Sequence, residues 1–224
     1  MISTALFQHF QNIDQNLPLI PPEVEWLLPF QEHPASVPIF QTFLERFYAD
    51  DTPRTLVLGI NPGRFGGGIT NVAFTDPLRL EQELGIVNPF PKKPELSAQF
   101  IYAVINAFGG PGVFYERFFL NSVCPLGFVK QGKNYNYYDE KQLQTAVTPL
   151  IKTHLTALIK NCGMRTDRCI CLGEGKNAHF FQELNAKEGY FKEIIPLPHP
   201  RFVMQYKRKL MEEYVERYLE ALGG

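Results

Sequence analysis

Residues 59–74 read GINPGRFGGGITNVAF, and the four residues that precede the glycine at 59, Thr55–Leu58, read TLVL. That junction constrains the fold of this chain more than any other stretch. A short apolar run with β-branched members suits a strand buried on both faces, as in a parallel sheet. The run breaks at Asn61-Pro62-Gly63, with Gly66-Gly67-Gly68 close behind. A strand that dissolves into proline and glycine leaves its last polar side chain, here Asn61, at the carboxyl edge of a sheet. In open α/β folds, ligands bind along that edge. A second edge of the same kind stands far downstream, at Pro198-His199-Pro200-Arg201-Phe202.

Between and around these edges, strands alternate with helices. Strands are expected at Thr55–Ile60, Phe118–Val123, Cys169–Leu172 and Glu193–Leu197. Helices are expected within 76–109, where PELSAQFIYAVINAF is clearest. Glu95 sits near its start, favoured by the helix dipole, and Gly109-Gly110 ends it. An amphipathic stretch spans Asp139–Asn161, which Pro149 should kink or split. Further helices are expected at Lys176–Leu184 and at 205–222, the last closed by Gly223-Gly224. A tyrosine- and glycine-rich segment, Gly127–Tyr138, reads as a loop. In the first fifty residues, Ile2–Phe10 and Val37–Tyr48 carry apolar residues at helical spacing around the proline-rich segment 18–35. The alternation predicts an α/β chain: three layers, α/β/α, around a central, mostly parallel four-stranded sheet. Residues 1–224 form one domain on this reading, with 1–50 as a helical extension packed on it.

Composition narrows the function classes. Among 224 residues the formal net charge is −1, which argues against large non-specific affinity for nucleic acid, although a local basic rim fits. Candidates for the rim are Lys207-Arg208-Lys209, Lys92-Lys93, and Lys130 with Lys133. No stretch approaches membrane-span length, and the N-terminus lacks the marks of a secretion signal, so the cytoplasm is the expected location. The four cysteines, Cys124, Cys162, Cys169 and Cys171, fit no zinc spacing. Their number would suit an iron–sulfur cluster, but Cys169 and Cys171 lie within the strand RCICLG and read as core.

Three segments end strands at one edge: Asn61, the pair Asn121-Ser122, and His199. In these the chain resembles the uracil-DNA glycosylase superfamily, most of all its single-strand-selective monofunctional branch. GINPGRFGGGITNVAF is similar to that branch's G-M-N-P-G-P-F-G followed by T-G-V-P-F. FLNSVCPL resembles its H-N-L-C-P-L, and LPHPRF its H-P-S-P-R-N. The resemblance covers roughly residues 55–205. It implies a monofunctional DNA glycosylase of base excision repair, a hydrolase that flips uracil out of DNA and cuts its N-glycosidic bond. It implies no metal or other cofactor, a monomer, and as partner uracil-containing DNA, single-stranded or mispaired.

What the resemblance assigns to each position agrees with the chemistry. Cleavage separates a cationic sugar from an anionic base, so the site must stabilise charge on the base and hold a water beneath the sugar. His199 would donate a hydrogen bond to the 2-carbonyl oxygen, worth about 2.7–4 kcal/mol in the transition state. Asn61, a poor base, would orient the water. Phe74 would stack on the flipped base, for about 1–3 kcal/mol. Gly59, Ile60 and Gly63 would border the base. At Gly63 a tyrosine walls off the 5-position in the narrow-specificity branch, so glycine implies tolerance of 5-substituted uracils such as 5-hydroxymethyluracil. Arg64, Gly66, Gly67 and Lys207 would meet the DNA backbone.

Two departures from the pattern matter. Ser122 stands where the family places an asparagine that reads the Watson–Crick edge, with Asn121 as its neighbour. Side chains alternate along a strand, so both cannot face the site without a bulge. A shorter hydroxyl would discriminate less strictly between bases. The last motif is also shortened, so Pro200, Arg201 and Phe202, supported by Met204 and Tyr206, would fill the vacated stack; a small wedge favours single-stranded or poorly paired DNA. Two other readings compete. One is a nucleotide-binding protein using the glycine-rich loop as a phosphate cradle, although the loop lacks the P-loop ending and the dinucleotide spacing. The other is a lesion-binding protein without catalysis.

Overall fold

The structure, a computed structural model, describes residues 1–223. Its centre is a four-stranded parallel sheet in the order β3-β2-β6-β7, formed by β2 (Thr55–Gly59), β3 (Phe118–Ser122), β6 (Cys169–Leu172) and β7 (Ile194–Leu197). Every residue of β2, β3 and β6 is buried, as a sheet covered on both faces requires. Helices supply the two outer layers. Val57, Leu120 and Ile170 point towards α6 (Leu96–Ala107), α7 (Gly110–Arg117) and α11 (Met211–Leu222). On the opposite face, Phe119 meets the ring of Tyr48 edge-on at 5.3 Å. Tyr48 closes α3 (Ser36–Phe47), which packs with α1 (Ile2–Asn12).

The strands expected from sequence are present, each within one residue at its ends. Register then decides what the sheet delivers. Gly59 pairs with Ser122 across β2 and β3, and Leu172 pairs with Leu197 across β6 and β7. The loops after β2, β3 and β7 therefore leave from one edge.

Several elements differ from expectation. Segment 127–138 is not a loop but a hairpin, β4 (Gly127–Lys130) and β5 (Lys133–Tyr135). Its two-residue turn has φ 52° at Gln131 and 68° at Gly132, positive at both central positions as the twist of a tight hairpin demands. Strand β1 (Val24–Leu27), inside the proline-rich segment, pairs antiparallel with β4 to complete a second sheet. Helix α8 (Lys141–Lys160) runs unbroken through Pro149. Leu143, Val147, Ile151, Leu155 and Leu158 are all fully buried along one stripe, which pins both halves to the same surface. Helix α9 (Lys176–Glu188) runs a turn longer than expected. The closing helix is two helices: α10 (Pro200–Tyr206), which His199 caps and Pro200 starts, ends at Lys207 (φ −129°), and a 3-10 turn at Arg208–Leu210 leads into α11. Gly223, at φ 74°, ends α11; Gly224, the second half of the expected stop, lies outside the described residues. The four cysteines are free and buried, and burial pushes the thiols of Cys124, Cys162 and Cys171 up to about 12. No helix among the described residues is long and apolar enough to cross a membrane.

Candidate active site

A cavity of about 410 Å³ opens at the carboxyl edge of the central sheet, and Asn61, Phe74, Ser122 and His199 all line it. That volume lies within the ~300–1,000 Å³ usual for small-ligand sites. Asn61, two residues past β2, is clamped by the hairpin. Its Nδ2 donates to the Tyr135 carbonyl at 3.2 Å, and its Oδ1 accepts from the Tyr137 amide at 3.1 Å. Each of these backbone groups can play one part only, so the two bonds fix which end of the amide is oxygen. One lone pair of Oδ1 stays free, since an amide oxygen can accept twice.

His199 is the N-cap of α10, and its Nδ1 accepts from the Arg201 amide at 3.1 Å. An accepting Nδ1 carries no proton, so the neutral ring holds its proton on Nε2, free to donate. Burial, with the Arg201 guanidinium adding to it, lowers the imidazole pKa to about 4. At neutral pH this is an uncharged donor on the cavity wall.

Phe74 has φ 53°, a left-handed backbone that a bulky residue rarely adopts. Its ring is tilted 44° to that of His199, with centroids 5.8 Å apart. The ring lies over the end of β2, where a Cβ on Gly59 would come within 2.5 Å of Cζ. Gly59 is thus glycine because the ring needs its space.

Gly63 and Gly66 answer to a different neighbour. A Cβ on Gly63 would lie 2.6 Å from Oε1 of Glu95, and one on Gly66 would lie 2.1 Å from Oε2. Glu95 caps α6 by position, yet its side chain makes no capping bond and reaches instead towards these glycines and the cavity. Buried Asp76 anchors it from behind, its Oδ2 accepting from the Glu95 amide at 2.8 Å and pairing with Arg79 at 3.0 Å. Burial, and then the charge of Asp76, raise the Glu95 carboxyl to about 7 against the opposing pull of Arg201 and Arg79.

Of the residues singled out from sequence, Ile60, Asn61, Gly63, Gly67, Phe74, Ser122, His199, Arg201 and Phe202 line the cavity. Asn121 does not: it is buried, and its Oδ1 turns back to accept from the Ser122 amide at 2.8 Å, as strand alternation requires. Gly59 lies beneath Phe74, Gly66 faces Glu95, and Pro200 is buried in the first turn of α10. Arg64 is tied to the hairpin, its amide donating to Asn134 at 3.0 Å and its guanidinium to the Gly132 carbonyl. Met204 is core, 5% exposed, whereas Phe202 and Tyr206 are 43% and 72% exposed at the rim. Lys207 is exposed, as are Arg208 and Lys209. Lys130 is paired with Glu140 and Glu23, and Lys92 with Glu81, so neither stands free for a basic rim.

Sequence reasoning missed Glu95, Asn134 and Asn136 as cavity residues. The two asparagines were lost with the hairpin. The alternation Lys133-Asn134-Tyr135-Asn136-Tyr137 after a Gln-Gly turn was the signal that would have found them.

A central parallel sheet, helices on both faces, and an amide and an imidazole on one carboxyl-edge cavity define the class: an α/β/α fold with a small-ligand site at the edge of its sheet. A family model described as the uracil DNA glycosylase superfamily matches residues 46–223. The chain therefore belongs to the uracil DNA glycosylase superfamily, enzymes that hydrolyse N-glycosyl bonds. It is similar to the crystal structure of wild-type SMUG2 from Pedobacter heparinus, with 40% identity and a TM-score of 0.95 over 99% of this chain and 97% of that one. It is also 31% identical over 96 residues to the single-strand selective monofunctional uracil DNA glycosylase of Bos taurus, a match spanning 35% of each protein. The chain thus matches about a third of that curated relative's length. Both relatives fall in the branch that the three motifs resemble.

Proposed function

We propose that this protein is a monofunctional DNA glycosylase of base excision repair that hydrolyses the N-glycosidic bond of uracil, and of 5-substituted uracils such as 5-hydroxymethyluracil, in DNA. One observation carries the reading. Asn61 and His199, 138 positions apart by their numbers, line the same cavity with complementary free valences: an amide oxygen able to hold a water, and an Nε2 proton able to meet a carbonyl oxygen. The base, flipped from the strand, stacks on Phe74 and turns its O2 to His199. As the glycosidic bond lengthens, negative charge gathers on the base, and the neutral imidazole strengthens its hydrogen bond to O2 without giving up the proton. The water on Asn61 adds to the sugar cation, and the proton it gives up neutralises the departed base anion, leaving an abasic sugar and the free base. Charge is stabilised by a donor already aimed, so little reorganisation is needed as the reaction proceeds.

Ser122, on the cavity wall beside Gly59, faces the Watson–Crick edge. Arg201, Phe202 and Tyr206 at the rim receive the strand, with Lys207 to Lys209 next to them. This small wedge suits single-stranded or mispaired DNA, and a single copy of the chain supplies the whole site.

The test is release of uracil from a single-stranded oligonucleotide, read as alkali-labile strand breaks, for the wild type, Asn61→Ala and His199→Ala. Breaks that depend on both side chains support the reading. Breaks indifferent to both, or none from the wild type, overturn it.

A further inference from the structure

Glu95 is the one carboxylate among the residues that line the cavity, and the mechanism above does not use it. Among the described residues neither of its oxygens has a hydrogen-bond or ion-pair partner, and only burial and the charges of Asp76, Arg201 and Arg79 act on it. A carboxylate without a partner in a site is an acceptor waiting for a donor. Its place says which donor. On the reading that O2 of the base meets His199 and the Watson–Crick edge meets Ser122, the ring position opposite C2 turns to the remaining wall. In a pyrimidine that position is C5. On that wall Gly63 and Glu95 stand together, the carboxyl filling the space that a side chain on Gly63 would take, with Gly66 against its other oxygen.

We propose that Glu95 is the residue that recognises the substituent at C5, accepting a hydrogen bond from a 5-hydroxymethyl group when ionised and donating one to a 5-formyl group when protonated. The proposal rests on the glycosylase reading and deepens it. Two glycines rather than one clear the space, so the carboxyl reaches the cavity past Gly63 and Gly66 alike. Its backbone is fixed by buried Asp76 at the start of α5 (Pro77–Gln82), so the side chain is aimed from a rigid base. Around it stand Asp76 and Arg79 from the α5 side and Arg201 from α10, while the loop from β2 contributes glycine backbone. Because the carboxyl titrates near 7, both protonation states are populated close to neutral pH. The bond broken in the reaction is unchanged; only the fit of the leaving base depends on Glu95.

The experiment compares kcat/KM for single-stranded oligonucleotides carrying uracil, 5-hydroxymethyluracil or 5-formyluracil, at about pH 6 and about pH 8, for the wild type and Glu95→Gln. The wild type should raise its preference for the hydroxymethyl over the formyl substrate about fivefold between the two conditions, because an ionised acceptor strengthens that bond. Glu95→Gln, which offers both a donor and an acceptor at every pH, should shift that ratio less than the wild type does. Titration of the substrate or of other groups is common to both proteins and cancels in the comparison. A preference that shifts equally in both, a fall on all three substrates alike in the variant, or release of uracil without either 5-substituted base would overturn the role of Glu95 and leave the glycosylase reading standing. No release of uracil by the wild type would overturn both.

Discussion

The ring of Phe74 rests on Gly59, so close that a single methyl group on the glycine would come within 2.5 Å of the ring tip. One residue closes the central strand and the other holds a strained backbone fifteen positions later, as their numbers show. Strain of this kind, about 1–3 kcal/mol, persists only where the surroundings enforce it. Gly59→Ala should push the ring into the space the base needs and lower kcat/KM on a uracil oligonucleotide about tenfold or more, the scale of one lost base stack. Gly59→Ala combined with Phe74→Leu should lose less than the sum of the two single changes, since the smaller side chain relieves the collision. Strictly additive losses would show that the two side chains do not share this space.

His199 offers a sharper reading through pH. Its Nδ1 accepts from the Arg201 amide, and its pKa is lowered to about 4. Protonation would set two donors, Nδ1–H and the amide, against each other and displace the ring. The imidazole should therefore impose its acid limb on kcat/KM for uracil near pH 4, not at the ordinary histidine value of 6.5. His199→Ala should lower kcat about 10²–10³-fold and remove that limb. A limb that survives in the variant would belong to another group.

Ser122 sits at the end of β3, 4% exposed, opposite Gly59 and open to the cavity. A hydroxyl rotates to donate or accept, so it holds the base edge without fixing which base it is. Ser122→Asn should sharpen selectivity for uracil over other bases, measured as relative release from matched oligonucleotides, by about tenfold for one well-placed amide. An unchanged substrate profile would mean that residue 122 does not read the base.

Much of this was legible in the sequence because it rests on local chemistry. β2 announces itself by TLVL and stops at Asn61-Pro62-Gly63; β6 and β7 end as plainly. The placement of Asn121 and Ser122 on opposite faces follows from strand geometry alone. What was not legible depends on distant partners. β1 is four residues long and forms only because β4, about a hundred positions away, pairs with it. The clamp on Asn61 comes from Tyr135 and Tyr137, whose hairpin was hidden behind a tyrosine-rich composition that reads as loop. Glu95 looked like a helix-dipole residue because nothing local says that Gly63 and Gly66 lie against it. Pro149 misled in the other direction: the rule that proline breaks helices yields where a buried stripe holds both halves.

Acid stability should expose the histidines. His9 and His154 join across the α1–α8 contact, Nε2 to Nδ1, at 2.8 Å. Burial lowers His9 to about 4, and burial and the neighbouring ring take His154 well below the ordinary 6.5. With His199 this makes three histidines that stay neutral in the fold while the unfolded chain takes up protons near 6.5. Each contributes stability that is present above 6.5 and falls as the pH drops towards 4, by at most about 1.4 kcal/mol per pH unit. Fully buried His154 carries the largest share, and the more open His9 and His199 carry less. Glu95 acts in the opposite sense. Its carboxyl, raised to about 7 from 4.5, takes its proton first in the fold, so it adds stability as the pH falls through that window. Three against one predicts a net decline, read by urea unfolding at about pH 7.5, 6 and 5. His154→Phe, which keeps a ring in the stack but cannot ionise, should flatten the decline, and Glu95→Gln should steepen it. A midpoint that holds constant from about pH 7.5 to 5 in Glu95→Gln, where no opposing carboxyl remains, would show that these imidazoles are protonated in the folded protein as readily as in the unfolded chain.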